Sequence, residues 1–168
     1  MNRIINTLRL TLRPITLSDA EAIFSWGSDP EVNKTVIYPL RTNIEDVKKW
    51  IKSIKESDNE FLITLKDGTP IGSCSCGFSK ELSGFNLGCN FHQKYWHQGY
   101  ATEVLVAMID YLKQNGAKEF IIRHFDFNQA SAHLAKKLNF TYEKTMDFYK
   151  PGESKPFKAL IYRYIVKI

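Results

Sequence analysis

"YWHQGYATEVLVAMIDYLKQNG", residues 95–116, joins a ring-rich loop and a glycine at position 99 to a long apolar-periodic run. Ala101, Val104, Leu105, Met108, Ile109 and Leu112 recur at three- and four-residue spacing, as one face of a helix does. Asn115-Gly116 closes that helix, because glycine accepts the left-handed cap conformation. "GFNLGCNF" (84–91) before it and "EFIIRHF" (119–125) after it read as strands. Strand, helix, strand is a crossover unit, so the two strands are expected to lie parallel in one sheet.

Working outward, "TLRLTLRPI" (7–15) alternates Leu8, Leu10 and Leu12 with Arg9, Thr11 and Arg13, a half-buried strand ended by Pro14. "SDAE" (18–21) and "TNIE" (42–45) have the form of capping boxes. The first opens a helix to about Gly27; the second opens one with Ile44, Val47, Ile51 and Ile54 on its apolar face. "EFLITL" and "PIGSCSCGF" flank Asp67-Gly68, a hairpin signal, and with residues 84–91 they make an antiparallel meander. "QASAHLAKKL" (129–138) is a short helix, and "FTYEKTMDFY" and "KALIYRYIV" are closing strands around "PGESKP". The order βααβββαβαββ defines an α/β (α+β) fold, with a mixed central sheet of about seven strands and helices on both faces. No linker or repeat divides it, so residues 1–168 are expected to be one domain.

The composition, 43% apolar and 24% charged over 168 residues, is that of a folded chain able to bury a core without disulfides or metal. No apolar run reaches the roughly 18 residues of a membrane span, and the start lacks the features of a signal peptide; a cytoplasmic protein is expected. Cys74, Cys76 and Cys89 form neither an even disulfide set nor a C-x-x-C pair and read as small buried residues. The net charge of +5 permits an acidic ligand without requiring one. Nucleic-acid binding rests on that bias alone, and no RNA-binding signature accompanies Trp26, Trp50 or the aromatic strands. His92 and His97 lack a third ligand, so no metal site is expected.

A loop that runs from a strand into a helix N-terminus aims unpaired N–H groups and the positive end of the helix dipole at one spot. Gly99 lets backbone close on a ligand there, and Ala101 keeps the first turn clear. The segment lacks the Gly-Lys-Ser/Thr of a P-loop and the three glycines of a dinucleotide fingerprint, so a pyrophosphate held by backbone fits best. A glycine in a plain turn is the alternative. The second motif, "FNQASAHLAKKLNF" (127–140), places Asn128 at a strand end, Ser131 at a helix start and Asn139 at a left-handed cap.

With both motifs in view, the chain resembles the GNAT family of acetyl-coenzyme A dependent N-acetyltransferases, and within it the Rim-type ribosomal-protein N-terminal acetyltransferases and related small-amine enzymes. The first nine positions of the family pattern "yWgkGyAtEa" correspond to residues 95–103, and "N-x-x-S-x-x-x-x-x-K-l-G-F" to Asn128, Ser131, Lys137, Leu138, Asn139 and Phe140. The "LRLTLRPITLSDAEAIFSW" opening is similar too. The resemblance implies an acetyl transfer from acetyl-CoA to a primary amine by direct attack, without a metal. The acceptor would be a protein N-terminus or a small molecule, with a homodimer left open and no membrane or nucleic-acid partner.

It implies further that Trp96, His97, Gln98, Gly99, Tyr100, Ala101 and Thr102 cradle the coenzyme pyrophosphate. Phe91 and His92 would pair with the pantetheine arm and point a donor at the thioester oxygen; Asn128 would hold the arm from the other side, with Ser131 near the sulfur. Ser131 is the candidate proton donor to the leaving thiolate, although a serine there also caps a helix. Two positions depart from the family. Asn86 stands where many relatives carry Glu, and Ala135 where many carry Tyr. Asp147 and Asp126 are the candidate replacements for the missing base, with His97 and His124 added because histidine as a residue type suits acid–base work near neutrality, each set against a solvated or structural role. The missing Glu and Tyr also admit a catalytically silent acyl-CoA-binding or regulatory domain.

Overall fold

A strand covered on both faces must send apolar side chains to both, and residues 60–65 do so: Phe61 and Ile63 join one core, Leu62 the other. The computed structural model describes residues 3–167. Its strands are β1 (Ile5–Asn6), β2 (Leu10–Pro14), β3 (Glu60–Leu65), β4 (Pro70–Ser75), β5 (Phe78–Ser79), β6 (Gly84–Phe91), β7 (Glu119–Phe125), β8 (Thr141–Phe148) and β9 (Phe157–Ile165). The helices are α1 (Ala20–Gly27), α2 (Pro30–Asn33), α3 (Ile44–Ser53), α4 (Tyr100–Gln114) and α5 (Gln129–Lys137). One sheet runs β1-β2-β3-β4-β6-β7-β9-β8, with β5 attached to β6. All its pairings are antiparallel except β6 with β7, the parallel pair that the crossover requires.

The larger core joins α4 (Val104, Leu105, Met108, Ile109, Leu112) and α5 (Ala135) to one face of the sheet. The smaller joins α1 (Ala20, Ile23, Trp26) and α3 (Val47, Ile51) to the other through Leu62. Among the described residues no helix is long and apolar enough to cross a membrane. The cysteines are free, and burial pushes their thiols up, to about 12 at Cys76 and Cys89. Gly116 and Asn139 adopt the left-handed conformation expected of them, at φ 86° and 61°.

Nine strands replace the expected seven, and the additions have local causes. The alternating segment 7–15 is not one strand. Thr7 turns the chain, its N–H donating to Leu10 O at 3.0 Å and its hydroxyl accepting from Leu10 N at 2.9 Å. Ile5–Asn6 therefore folds back on β2, and Leu8 lies at the turn, 90% exposed. β5 is a two-residue hairpin partner of β6. Both capping boxes are displaced as well. Thr16 N donates to Asp19 Oδ2 at 2.8 Å, ahead of the expected Ser18, and Asn43, not Thr42, caps α3 by accepting from Asp46 N at 2.9 Å. Burial pushes the Asp19 carboxyl up, but bonds from Arg13 and Thr16 outweigh it and leave the pKa below its ordinary value.

Candidate active site

β6 and β7 are paired only over Phe85–Leu87 and Phe120–Ile122, although β6 continues to Phe91 and β7 to Phe125. Past that point each follows its outer neighbour: Phe91 stays opposite Gly72 on β4, and Phe125 opposite Ala159 on β9. The pair therefore forks, leaving a slot between strand ends whose facing peptide groups have no partner strand. His92 N donates to Ile71 O at 2.9 Å, so that amide belongs to the β4 side. Alternation along the strand then turns the Phe91 and Cys89 amides to the slot. Of the two residues expected to offer a donor, Phe91 turns its N–H to the slot, while the His92 N–H is bonded to β4. The His92 ring is engaged elsewhere, its Nδ1 accepting from Lys94 N at 3.3 Å.

At the slot's open end Trp96 Nε1 donates to Phe91 O at 2.9 Å, and the ring touches both cores. This indole fixes the strand end, and the Trp96 amide is also engaged, donating to Gln93 O at 3.0 Å, so the run of unpaired amides begins one residue later. The chain then enters the left-handed region at His97 (φ 59°) and again at Gly99 (φ 79°), directly before α4. The amides of His97, Gln98, Gly99, Tyr100, Ala101 and Thr102 donate to no backbone carbonyl among the described residues, and Glu103 N is the first to bond back, to Gly99 O at 3.3 Å. A concavity of unpaired N–H groups at a helix N-terminus is an anion site.

Arg9 holds this loop in place. Its Nε meets Glu103 Oε2 at 2.7 Å, its Nη1 donates to Gln98 O at 2.8 Å, and its guanidinium lies 4.4 Å from the Tyr100 ring centre. Glu103 also accepts from Thr7 Oγ1 at 2.6 Å and Arg9 N at 2.8 Å. Partial burial pushes the Glu103 carboxyl up, but these bonds outweigh it and keep the pKa below the ordinary carboxylate value. Arg9 escaped the sequence reading because strand alternation assigned it to the solvent face.

α5 leaves β7 at the other lip of the slot. Asn128 Oδ1 caps it by accepting from Ser131 N at 3.1 Å, which leaves the side-chain NH2 as the group free to donate. The two roles separate by mutation. Asn128→Asp keeps the cap oxygen and removes the NH2, so it should raise the KM for acetyl-CoA with little change in melting temperature; Asn128→Ala should also lose about 1 kcal/mol of stability. Steady-state kinetics beside thermal melts check this, and an unchanged KM in the Asp variant would leave only the cap.

Ser131 sits in the first turn of α5, beside Asn128, as expected. Asp147 is not at the slot: β9 lies between β7 and β8, and Asp147 pairs with Lys158 at 2.5 Å on the outermost strand. Asp126 and His97 are exposed. His124 is buried, with Nδ1 2.7 Å from Phe125 O and its ring stacked on Tyr162.

On the α1 and α3 face, Asn90 Nδ2 donates to the Tyr38 hydroxyl, and Ser73 Oγ donates to Asn90 Oδ1 at 3.0 Å. The loop carrying Tyr38 is also tied down where Asn33 Nδ2 donates to Tyr38 O and Lys150 Nζ donates to Asn33 O at 3.0 Å. Below it a groove of about 490 Å³ is lined by Leu40, Trp96, Phe127, Lys150 and Phe157. Asn86 faces the same side, its Oδ1 buried without a partner among the described residues.

A family model described as an acetyltransferase (GNAT) domain matches residues 9–141, and the chain belongs to that family. It is 30% identical over 112 residues to the uncharacterized N-acetyltransferase p20 of Bacillus licheniformis, a match spanning 62% of this chain and 63% of p20. A GNAT acetyltransferase from Bacillus anthracis superposes with a TM-score of 0.85 at 21% identity, over 96% of this chain and 98% of that one. The ribosomal L7/L12 α-N-protein acetyltransferase RimL, solved with coenzyme A, gives 0.79 at 21% identity, over 97% and 98%. At that identity the structural likeness establishes the shared fold.

Proposed function

We propose that this chain transfers an acetyl group from acetyl-CoA to a primary amine by direct attack, with residues 1–168 acting as one catalytic domain. The observation that carries this reading is the fork of β6 and β7, whose ends beyond Leu87 and Ile122 do not pair with each other, followed along the chain by the unpaired amides of residues 97–102. An extended amide-bearing arm fits the slot, and a pyrophosphate fits the amides. The coenzyme A bound by RimL supports the same reading.

In this reading the Phe91 N–H polarises the thioester oxygen, as a preorganised backbone donor does in acyl transfer. The amine enters from the face of α1 and α3, and Ser131 delivers a proton to the leaving sulfur. A lysine-type amine of pKa near 10.4 costs about 4.6 kcal/mol to deprotonate at pH 7, whereas an α-amine near 8 costs about 1.4 kcal/mol. With Asn86 in place of the usual carboxylate, the preferred acceptor is a peptide or protein α-amine, or a small molecule whose amine pKa is similarly low. RimL's named activity on a protein α-amine supports the same choice.

The test is release of free thiol from acetyl-CoA across an amine panel, comparing N-terminal peptides with charge-matched lysine side-chain acceptors at pH 7. The α-amines should lead in kcat/KM by tenfold or more, and the reverse order would overturn the acceptor assignment. Coenzyme binding with no thiol release from any amine would favour a silent acyl-CoA-binding domain.

A further inference from the structure

Across the sheet Glu60 pairs with Ser75, and Ser75 with Gly88. Gly88 follows Leu87, whose parallel partner is Ile122, so Arg123 stands level with it on β7. Paired residues project to the same side, which puts Glu60, Ser75, Gly88 and Arg123 in one row on the face opposite α4. The floor of this row is open. Gly88 is exposed although its strand lies inside the sheet, and a Cβ added there would meet only Ser75 Oγ, at 3.9 Å. Asn86, where many family members carry Glu, lies one step along the same side of β6.

The Glu60 carboxyl at the end of this row is half-buried and has no hydrogen-bond or ion-pair partner among the described residues. We propose that Glu60 takes the proton from the attacking ammonium, through water lying over Ser75 and Gly88. This rests on the transferase reading above. Two strand spacings, about 10 Å, separate the β3 and β6 backbones, the span that the water would bridge.

In the step, the ammonium gives one proton to the Glu60 carboxylate, and the freed lone pair forms the C–N bond to the acetyl carbon. The C–S bond breaks with its electron pair on sulfur, which takes a second amine proton by way of Ser131. Glu60 then releases its proton to solvent. An acetyl thioester and an ammonium thus become an amide, a thiol and one proton.

The groups facing Glu60 suit the role. Asp58 adds negative charge from the adjoining turn, while Tyr38 from the α2–α3 loop stays neutral because burial raises its pKa; Cys74 and Cys76 of β4 lie on the opposite, α4 face. Burial first, and Asp58 second, raise the Glu60 carboxyl to about 7, the range in which a general base is most effective near neutrality. Across the row Arg123 has its Nε buried without a partner among the described residues, and a fixed cation there disfavours an ammonium beside it.

The test uses the best amine of the panel and follows kcat/KM from pH 5.5 to 9 for wild type, Glu60→Gln and Glu60→Asp. Wild type should show an acidic limb near pH 7. Glu60→Gln should lose about 100-fold or more at pH 7, follow only the amine's own titration near pH 8, and keep the wild-type KM and thermal shift for acetyl-CoA. Glu60→Asp should recover part of the rate together with the limb. A Gln variant that retains the limb, stays within threefold of wild type, or loses rate only through acetyl-CoA binding overturns the assignment while leaving the transferase reading intact. Wild type inactive on every amine overturns both.

Discussion

Gly99→Glu should leave a folded protein that no longer gains melting temperature from coenzyme A. The substitution puts a carboxylate among the unpaired amides of residues 97–102, where it becomes a built-in rival to phosphate. A Cβ at position 99 lies 3.5 Å from Arg9 Nη2, so the new side chain has a guanidinium partner close by. The backbone there is at φ 79°, which costs an L-residue about 1–2 kcal/mol, tolerable for a chain of this size. Coenzyme at a hundred times its Kd stabilises the wild type by about 2.7 kcal/mol, roughly 5–10 °C at 2–4 °C per kcal/mol. The variant should show none of that rise. Gly99→Ala has the backbone penalty without the carboxylate, so it should bind weakly but measurably. An undiminished shift in the Glu variant would move the anion site elsewhere.

Gly72→Ala should damage the fold more than its single added methyl suggests. The new Cβ would sit 2.2 Å from Asn90 O and 3.1 Å from Phe91 Cα, both backbone atoms of β6. No rotamer relieves such a contact; β4 and β6 must move apart. Overpacking that only displaces side chains costs about 1–3 kcal/mol, so a backbone collision should cost ~3 kcal/mol or more and lower the melting temperature by roughly 6–12 °C. The displaced segment includes the Phe91 amide, so whatever protein remains folded should also show reduced kcat. Thermal melts and turnover on the same sample check both. A melting temperature within 2 °C of wild type would mean that β4 and β6 are not held as closely as this contact requires.

The parts of the fold and site legible in the sequence are those carried by contiguous residues. The α4 periodicity, the Asp67-Gly68 hairpin and the glycine before α4 each depend on neighbours in the chain, and the crossover rule then sets β6 parallel to β7. The distance of Asp147 from the fork is not legible because the closing strands do not add in chain order: β9 inserts between β7 and β8, carrying the penultimate strand to the edge. Glu60 went unnoticed because its relation to Gly88 needs two successive strand registers that no local pattern specifies. Leu8 obeyed a period-two pattern that the Thr7 turn overrides, and the caps moved by one or two positions because Thr16, Ser18, Thr42 and Asn43 are all competent cap residues.

The fork of β6 and β7 also bears on selectivity by thickness. An outer strand offers its unpaired peptide groups to any chain that drifts past, but the comparable groups here lie at the bottom of a cleft whose walls are the strands themselves. A flat sheet edge or a bulky loop cannot enter; a single-file linear chain with amides of its own can. The coenzyme arm proposed for this slot would supply the bonds that the two strands withhold from each other, knitting the middle of the sheet partly by something outside the polypeptide. On that proposal the rigidity of the protein's centre, and not only the occupancy of its site, would vary with the supply of that small molecule.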